Sequence, residues 1–184
     1  MIYTLSLKTV GIATGIFLLL LHIPALLQRD TTRAWLRQFP RSKTWGAILL
    51  AFATVWVFLL AMKMDLGEFA RLRLPIMGFV VISAILSWKF LDEFLAVRSL
   101  GVLALLAANP ILDACYLQPP AWRLLLVVLA YIWILCGLFW VGMPYLLRDQ
   151  IAWISASTQR WNIAALAGAL VGLAILGCSV IYDF

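Results

Sequence analysis

The stretch from Trp122 to Leu147, WRLLLVVLAYIWILCGLFWVGMPYLL, carries one charged side chain, Arg123, and no Asp, Glu, Lys, Arg or His after it. A helix of ~20 apolar residues crosses a ~30 Å hydrocarbon core, so this run is long enough to span a bilayer. The segment Leu124 to Ala130 is continuously apolar, as is Ile16 to Leu21. Neither alternates as the strands of a membrane β-barrel do. The reading is therefore a membrane helix.

Outward from that run the same pattern recurs. Further spans are expected at 9–27, 44–62, 74–91, 100–117 and 161–182, which with 122–147 makes six. The expected fold is an all-α integral membrane protein: a single bundle of about six transmembrane helices with short loops, forming one polytopic domain over residues 1–184. The first run follows Lys8 and passes through Ile23-Pro24-Ala25, which loosely resembles a signal-peptide cleavage site; it is read as a retained span. The composition agrees. Of 184 residues, 65% are hydrophobic and 12% charged, with a mean hydropathy of +1.04. Soluble domains carry about 25% charged residues, so most of this chain needs lipid as its solvent.

The net charge of +6 follows from basic residues lying between apolar runs. The positive-inside bias and attraction to anionic headgroups explain that distribution, and no nucleic-acid partner is expected. Arg29, Arg33, Arg37, Arg41, Lys43, Lys89, Arg98, Arg148 and Arg160 fall on one side, against Lys8, Lys63, Arg71, Arg73 and Arg123 on the other. The first set should be cytoplasmic, in a cell membrane read as a bacterial inner membrane, with both termini outside. Trp35, Trp45, Trp88, Trp122, Trp153 and Trp161 fall near span ends, where amphipathic rings favour headgroup level. Cys115, Cys136 and Cys178 lie in apolar stretches and read as small buried hydrophobes.

Several groupings are candidates for chemistry. Arg29, Arg33 and Arg37 recur every fourth residue, so on a helix they share a face, with Trp35 and Phe39 roughly opposite and Pro40 as the stop. With Arg41 and Lys43 they are expected to contact lipid headgroups, from either a short surface helix or an irregular positive-inside loop. Asn109, Pro110, Asp113 and Arg123 form a candidate intramembrane polar site. Pro110 removes a backbone donor and should kink its helix. A carboxylate there points to proton or cation handling, or to a structural ion pair between Asp113 and Arg123 across the hairpin turned by Pro119-Pro120. His22, the single histidine, is either a pigment-metal ligand or a hydrogen-bonded interfacial residue; no cofactor and no metal are predicted. Gly11 and Gly15, and Ala164, Gly168 and Gly172, have the small-residue spacing that lets helices approach closely. Asp92-Glu93 diverge on a helix and read as a solvated elbow.

No H-E-x-x-H, C-x-x-C-H, phosphate-cradling glycine loop or G-x-S-x-G occurs. The expected role is a non-catalytic structural or accessory subunit of a larger membrane assembly, with lipids and other membrane subunits or further copies as partners. The alternatives are a small transporter or channel using Asp113 at the Pro110 break, and a lipid-modifying enzyme at the basic face.

Overall fold

The computed structural model describes residues 5–90 and 93–181. Among these, six helices are long and apolar enough to cross a membrane. In chain order the elements are α1 (Leu7–Leu27), α2 (Arg29–Gln38), a 3-10 turn (Phe39–Arg41), α3 (Lys43–Lys63), a second 3-10 segment (Gly67–Leu72), α4 (Arg73–Phe90), α5 (Leu95–Cys115), α6 (Arg123–Gly142), α7 (Tyr145–Ser155) and α8 (Thr158–Ile181). The protein is an all-α membrane bundle in which α2 and α7 are short and the other six are the spans.

Local chemistry sets several of these boundaries. The Ser6 hydroxyl accepts from the Thr9 amide at the start of α1, and the Ser42 hydroxyl accepts from the Trp45 amide at the start of α3, each satisfying an orphan first-turn donor. Two expectations change here. The fifth span ends at Gly142 rather than Leu147, because Pro144 opens a separate helix, α7. Its Leu147, Ile151 and Ser155 are buried at four-residue spacing while Arg148, Asp149 and Gln150 stay exposed, so a segment read as a polar connection is an amphipathic helix. The second change concerns Leu95 to Ser99, read as part of an elbow. They form the first turn and a half of α5, and Val97 is completely buried. Leu91, Asp92 and Tyr182 lie outside the described residues, and Glu93 is exposed.

Helices in lipid gain little from hydrophobic burial against one another, so close backbone approach and van der Waals contact hold them together. The bundle has two tight antiparallel pairs. In α1 with α8, Gly11 faces Ser179, Gly15 and Leu18 face Gly172, His22 faces Gly168, and Ala25 clusters with Trp161 and Ala165. The seam positions step by three and four on both helices, which is left-handed coiled-coil spacing. Ala164 is half-buried beside the seam, and Ala165 takes the seam position. In α5 with α6, a Cβ on Gly101 would come 2.9 Å from the Gly137 carbonyl oxygen, and one on Gly137 would come 2.8 Å from the Gly101 oxygen. One glycine from each helix therefore lets two backbones touch. This second contact has no G-x-x-x-G and was not read from the sequence. The pairs meet through Leu7, Val10 and Leu18 of α1, Ala108, Ile111 and Ala114 of α5, Leu126 and Ala130 of α6 and Ile175 of α8.

α3 packs on α5, where Gly46 lets it approach the Ala96 backbone. α4 packs along α3 at the edge of the array and contains no buried residue. α5 runs unbroken through Pro110, and α1 through Pro24. The expected break at Pro110 is absent: membrane helices absorb a proline where neighbouring packing and local adjustment re-satisfy the freed carbonyl.

Candidate functional site: a basic cleft at one end of the bundle

The C-termini of α1 and α6 and the N-termini of α3 and α8 meet at one end of the bundle, and α2, the Phe39–Arg41 turn and α7 lie across it. α2 is anchored there by Leu36, which packs into two of the buried clusters, and by Trp35 against Trp45 and Phe39.

The last turn of a helix leaves four carbonyls without intrahelical donors and carries the negative end of the dipole. At both ends of this bundle, arginines fill those positions. Arg29 Nε donates to the Leu26 carbonyl of α1 at 3.3 Å. Arg37 Nη2 donates to the Ser155 carbonyl and its Nε to the Ser155 hydroxyl, both at 2.9 Å, closing α7. Arg160 donates to the Trp153 carbonyl at 3.1 Å and stacks on the Trp153 ring. At the opposite end Arg73 donates to the Met64 carbonyl after α3, and Arg123 to the Cys115 carbonyl of α5 at 3.1 Å.

That last contact corrects an expectation. Arg123 and Asp113 do not form an ion pair; among the described residues the carboxylate–arginine contact is Arg148–Asp149 at 2.8 Å. The hairpin is present and the arginine does reach back, but the orphan carbonyl at the end of α5 takes it, rather than a carboxylate two residues earlier. Asn109 is exposed and Asp113 half-buried. Asp113 lines neither the cleft of Arg37, Pro40, Arg148, Ile151, Ala152 and Ser155 at the basic end nor the groove of Glu68, Phe69, Arg71 and Leu72 at the other.

The arginine row on α2 forms as a helix, but two of its three members turn into the protein. Arg33 lies over the Trp161 ring at 5.1 Å, while Arg37 holds Ser155. Trp161 is buried in the protein rather than presented to headgroups: it is 3% exposed and donates its indole N–H to the Ala25 carbonyl at 2.7 Å. With Gln28 N–H and the Thr32 hydroxyl on the Pro24 carbonyl and Arg29 on Leu26, this closes the end of α1. Arg41 and Lys43 are exposed at the same end.

His22 Nδ1 lies 2.8 Å from the Leu18 carbonyl. A carbonyl only accepts, so Nδ1 is the protonated nitrogen, and Nε2 faces α8 at Gly168, where a Cβ would overlap the ring. The free nitrogen is thus aimed at a helix backbone, where a metal-bearing macrocycle has no room. Among the described residues no group of three or more His, Cys, Asp or Glu side chains is placed to hold a metal ion.

What the arginines leave open is a cleft of about 170 Å³ between the Phe39–Arg41 turn and α7, lined by Arg37, Pro40, Arg148, Ile151, Ala152 and Ser155. It carries two cations and no carboxylate or histidine. Such a lining can bind an anion, but it holds no proton-transfer group for general acid–base chemistry. Arg37 and Arg148, expected together at the basic face with Arg41 and Asp92, do meet in this cleft, whereas Arg41 does not line it and Asp92 lies outside the described residues. The chain matches no protein-family model, no curated protein and no solved structure.

Proposed function

We propose that this membrane protein is a non-catalytic accessory subunit of a larger assembly in a bacterial inner membrane. The observation that carries the reading is α4. Between Arg73 and Lys89 it is apolar except for Ser83 and Ser87, has no buried residue, and packs against α3 and the 3-10 segment before it. Phe79 is 71% exposed and Leu74 81%, and a Cβ on Gly78 would meet nothing within 4 Å. An edge helix held along one line contributes little to its own bundle. It is well placed to lie against the helix of another membrane protein, with Gly78 as a point of close approach. The alternatives have less support. A transporter built on Asp113 lacks the Pro110 break, and a lipid-modifying enzyme at the basic end lacks an acid or base in its cleft.

A photoactivatable cross-linker placed at Phe79, Ile82 or Leu86 should capture a distinct membrane polypeptide in native membranes. The same probe at Leu125 or Val128, exposed on α6, should capture mainly lipid. Equal, lipid-only capture from both helices would remove the reason for assigning a partner to α4.

The same reading places the basic end in the cytoplasm and both termini outside, on the nine-to-five distribution of Lys and Arg. Arg41→Cys is exposed at that end and should react with an impermeant maleimide only after permeabilisation. Ready labelling of intact cells would invert the orientation.

A further inference from the structure

We propose that the cleft between the Phe39–Arg41 turn and α7 is a discrete site for one phosphate-bearing anion, supplied by an anionic phospholipid headgroup. The inference stands on the geometry of this end of the bundle and holds whether or not α4 has a partner.

Three observations converge. The first is charge: Arg37 and Arg148 line the cleft with no carboxylate among the lining residues. Guanidinium groups match phosphate oxygens in geometry as well as sign. The second is preorganisation. Arg37 is fixed by two 2.9 Å hydrogen bonds to Ser155, which use Nε and one Nη2 hydrogen and leave the remaining guanidinium donors unspent. Arg148 is held by Asp149 at 2.8 Å and lies 5.8 Å from the Phe94 ring centroid. Arg37, already fixed by the protein, loses little freedom when an anion arrives, while Arg148 stays exposed to close on it. The third lies one helical turn before Arg37, where Arg33 has its Nε and Nη2 buried without a protein acceptor. Arg33 packs over Trp161 rather than lining the cleft, so it adds positive charge beside the site without touching its occupant.

Size and depth point to the source. About 170 Å³ is enough for a phosphate group with a few waters. The cleft sits where four spans end, with the exposed Trp153 and Trp35 on the same end-cap. Span ends flanked by such rings favour headgroup level in a bilayer, where lipid phosphates lie. Pro40, Ile151 and Ala152 give it an apolar wall on which the glycerol and upper acyl carbons of a lipid can rest. A freely diffusing anion would need no such wall.

The test uses the full chain in nanodiscs of phosphatidylcholine containing a graded fraction of phosphatidylglycerol, with retained lipids counted by native mass spectrometry. One phosphatidylglycerol should be retained per chain. Arg148→Gln, at an exposed side chain whose loss does not threaten the fold, should weaken that retention by at least about tenfold, since charge-assisted hydrogen bonds are each worth that much or more. Arg148→Lys should lose less, and Lys63→Gln, at the opposite end of α3, should lose nothing. Arg37→Gln should behave like Arg148→Gln if it folds; if it does not, the Gln and Lys variants at 148 decide the matter. A parallel arm titrates inorganic phosphate into pure phosphatidylcholine discs, where no saturable binding is expected. Unchanged phosphatidylglycerol retention in Arg148→Gln overturns the site. Saturable phosphate binding that Arg148→Gln abolishes overturns the lipid as its source.

Discussion

Gly172→Leu should strip the protein of most of its folded yield, while Gly177→Leu, five residues along the same helix, should leave it unchanged. A single Cβ at Gly172 already stands 2.9 Å from Leu18 Cβ and 3.2 Å from the Gly15 carbonyl oxygen, whereas one at Gly177 meets nothing within 4 Å. Overpacking a close contact costs about 1–3 kcal/mol. The upper end applies here, because the opposing atom at Gly15 is backbone and cannot rotate away. Surface substitutions away from such contacts stay within about ±0.5 kcal/mol. Gly15→Leu should resemble Gly172→Leu, since both fill the same gap from opposite sides. Unfolding titrations in mixed micelles would measure the difference, and equal stability of the 172 and 177 variants would mean that α1 and α8 do not pack through this seam.

Trp161→Ala should be the most damaging single truncation at the basic end, at about 3 kcal/mol, the lower part of the range for removing a buried Trp. The lower part applies because helix association in lipid draws less on hydrophobic transfer. Three things are lost at once: a nearly fully buried ring, the indole donor to the Ala25 carbonyl, and the face on which Arg33 rests. Trp161→Phe separates them. It keeps an aromatic face for Arg33 but leaves the Ala25 carbonyl without its donor, and a buried group left unpaired costs about 1–3 kcal/mol. The order wild type, Phe, Ala in unfolding midpoint is the expected result. A Phe variant as stable as wild type would show that the carbonyl finds another donor.

The spans were legible because a bilayer imposes a length and a composition on any helix that crosses it, and residues such as Leu124 to Ala130 satisfy both without reference to the rest of the chain. What the sequence hid depends on choices between partners. Arg123 was assigned to Asp113 by complementary charge, yet the unpaired carbonyls at the end of α5 compete for the same guanidinium and win. Trp161 was placed at headgroup level because tryptophans near span ends usually sit there. The crossing of α1 and α8, which needs knowledge of both helices, buries this one. Gly101 and Gly137 carry no motif because each helix supplies a single glycine. α7 was missed because Leu147, Ile151 and Ser155 make a short apolar stripe with a serine as its last member, too brief to read as periodic beside Arg148 and Asp149. The cleft was legible only in part: Arg37 and Arg148 belong to the same basic face, but only the folded end-cap sets Pro40, Ile151, Ala152 and Ser155 beside them.

Those partner choices also bear on why α4 stands apart. Every other span commits a small residue or a buried stripe to a neighbour, at Gly15 with Gly172, Gly101 with Gly137, and Gly46 with Ala96. α4 has Gly78 and commits it to nothing within the chain. The most direct test of the proposed role is the composition and mass of the particle that leaves native membranes in polymer-bounded lipid discs, without detergent. The expected particle is heavier than the 20.6 kDa chain and contains a different membrane polypeptide in fixed ratio, with the contact broken by Gly78→Trp on α4. A particle holding the chain alone, or only further copies of it, would contradict the assignment as an accessory subunit.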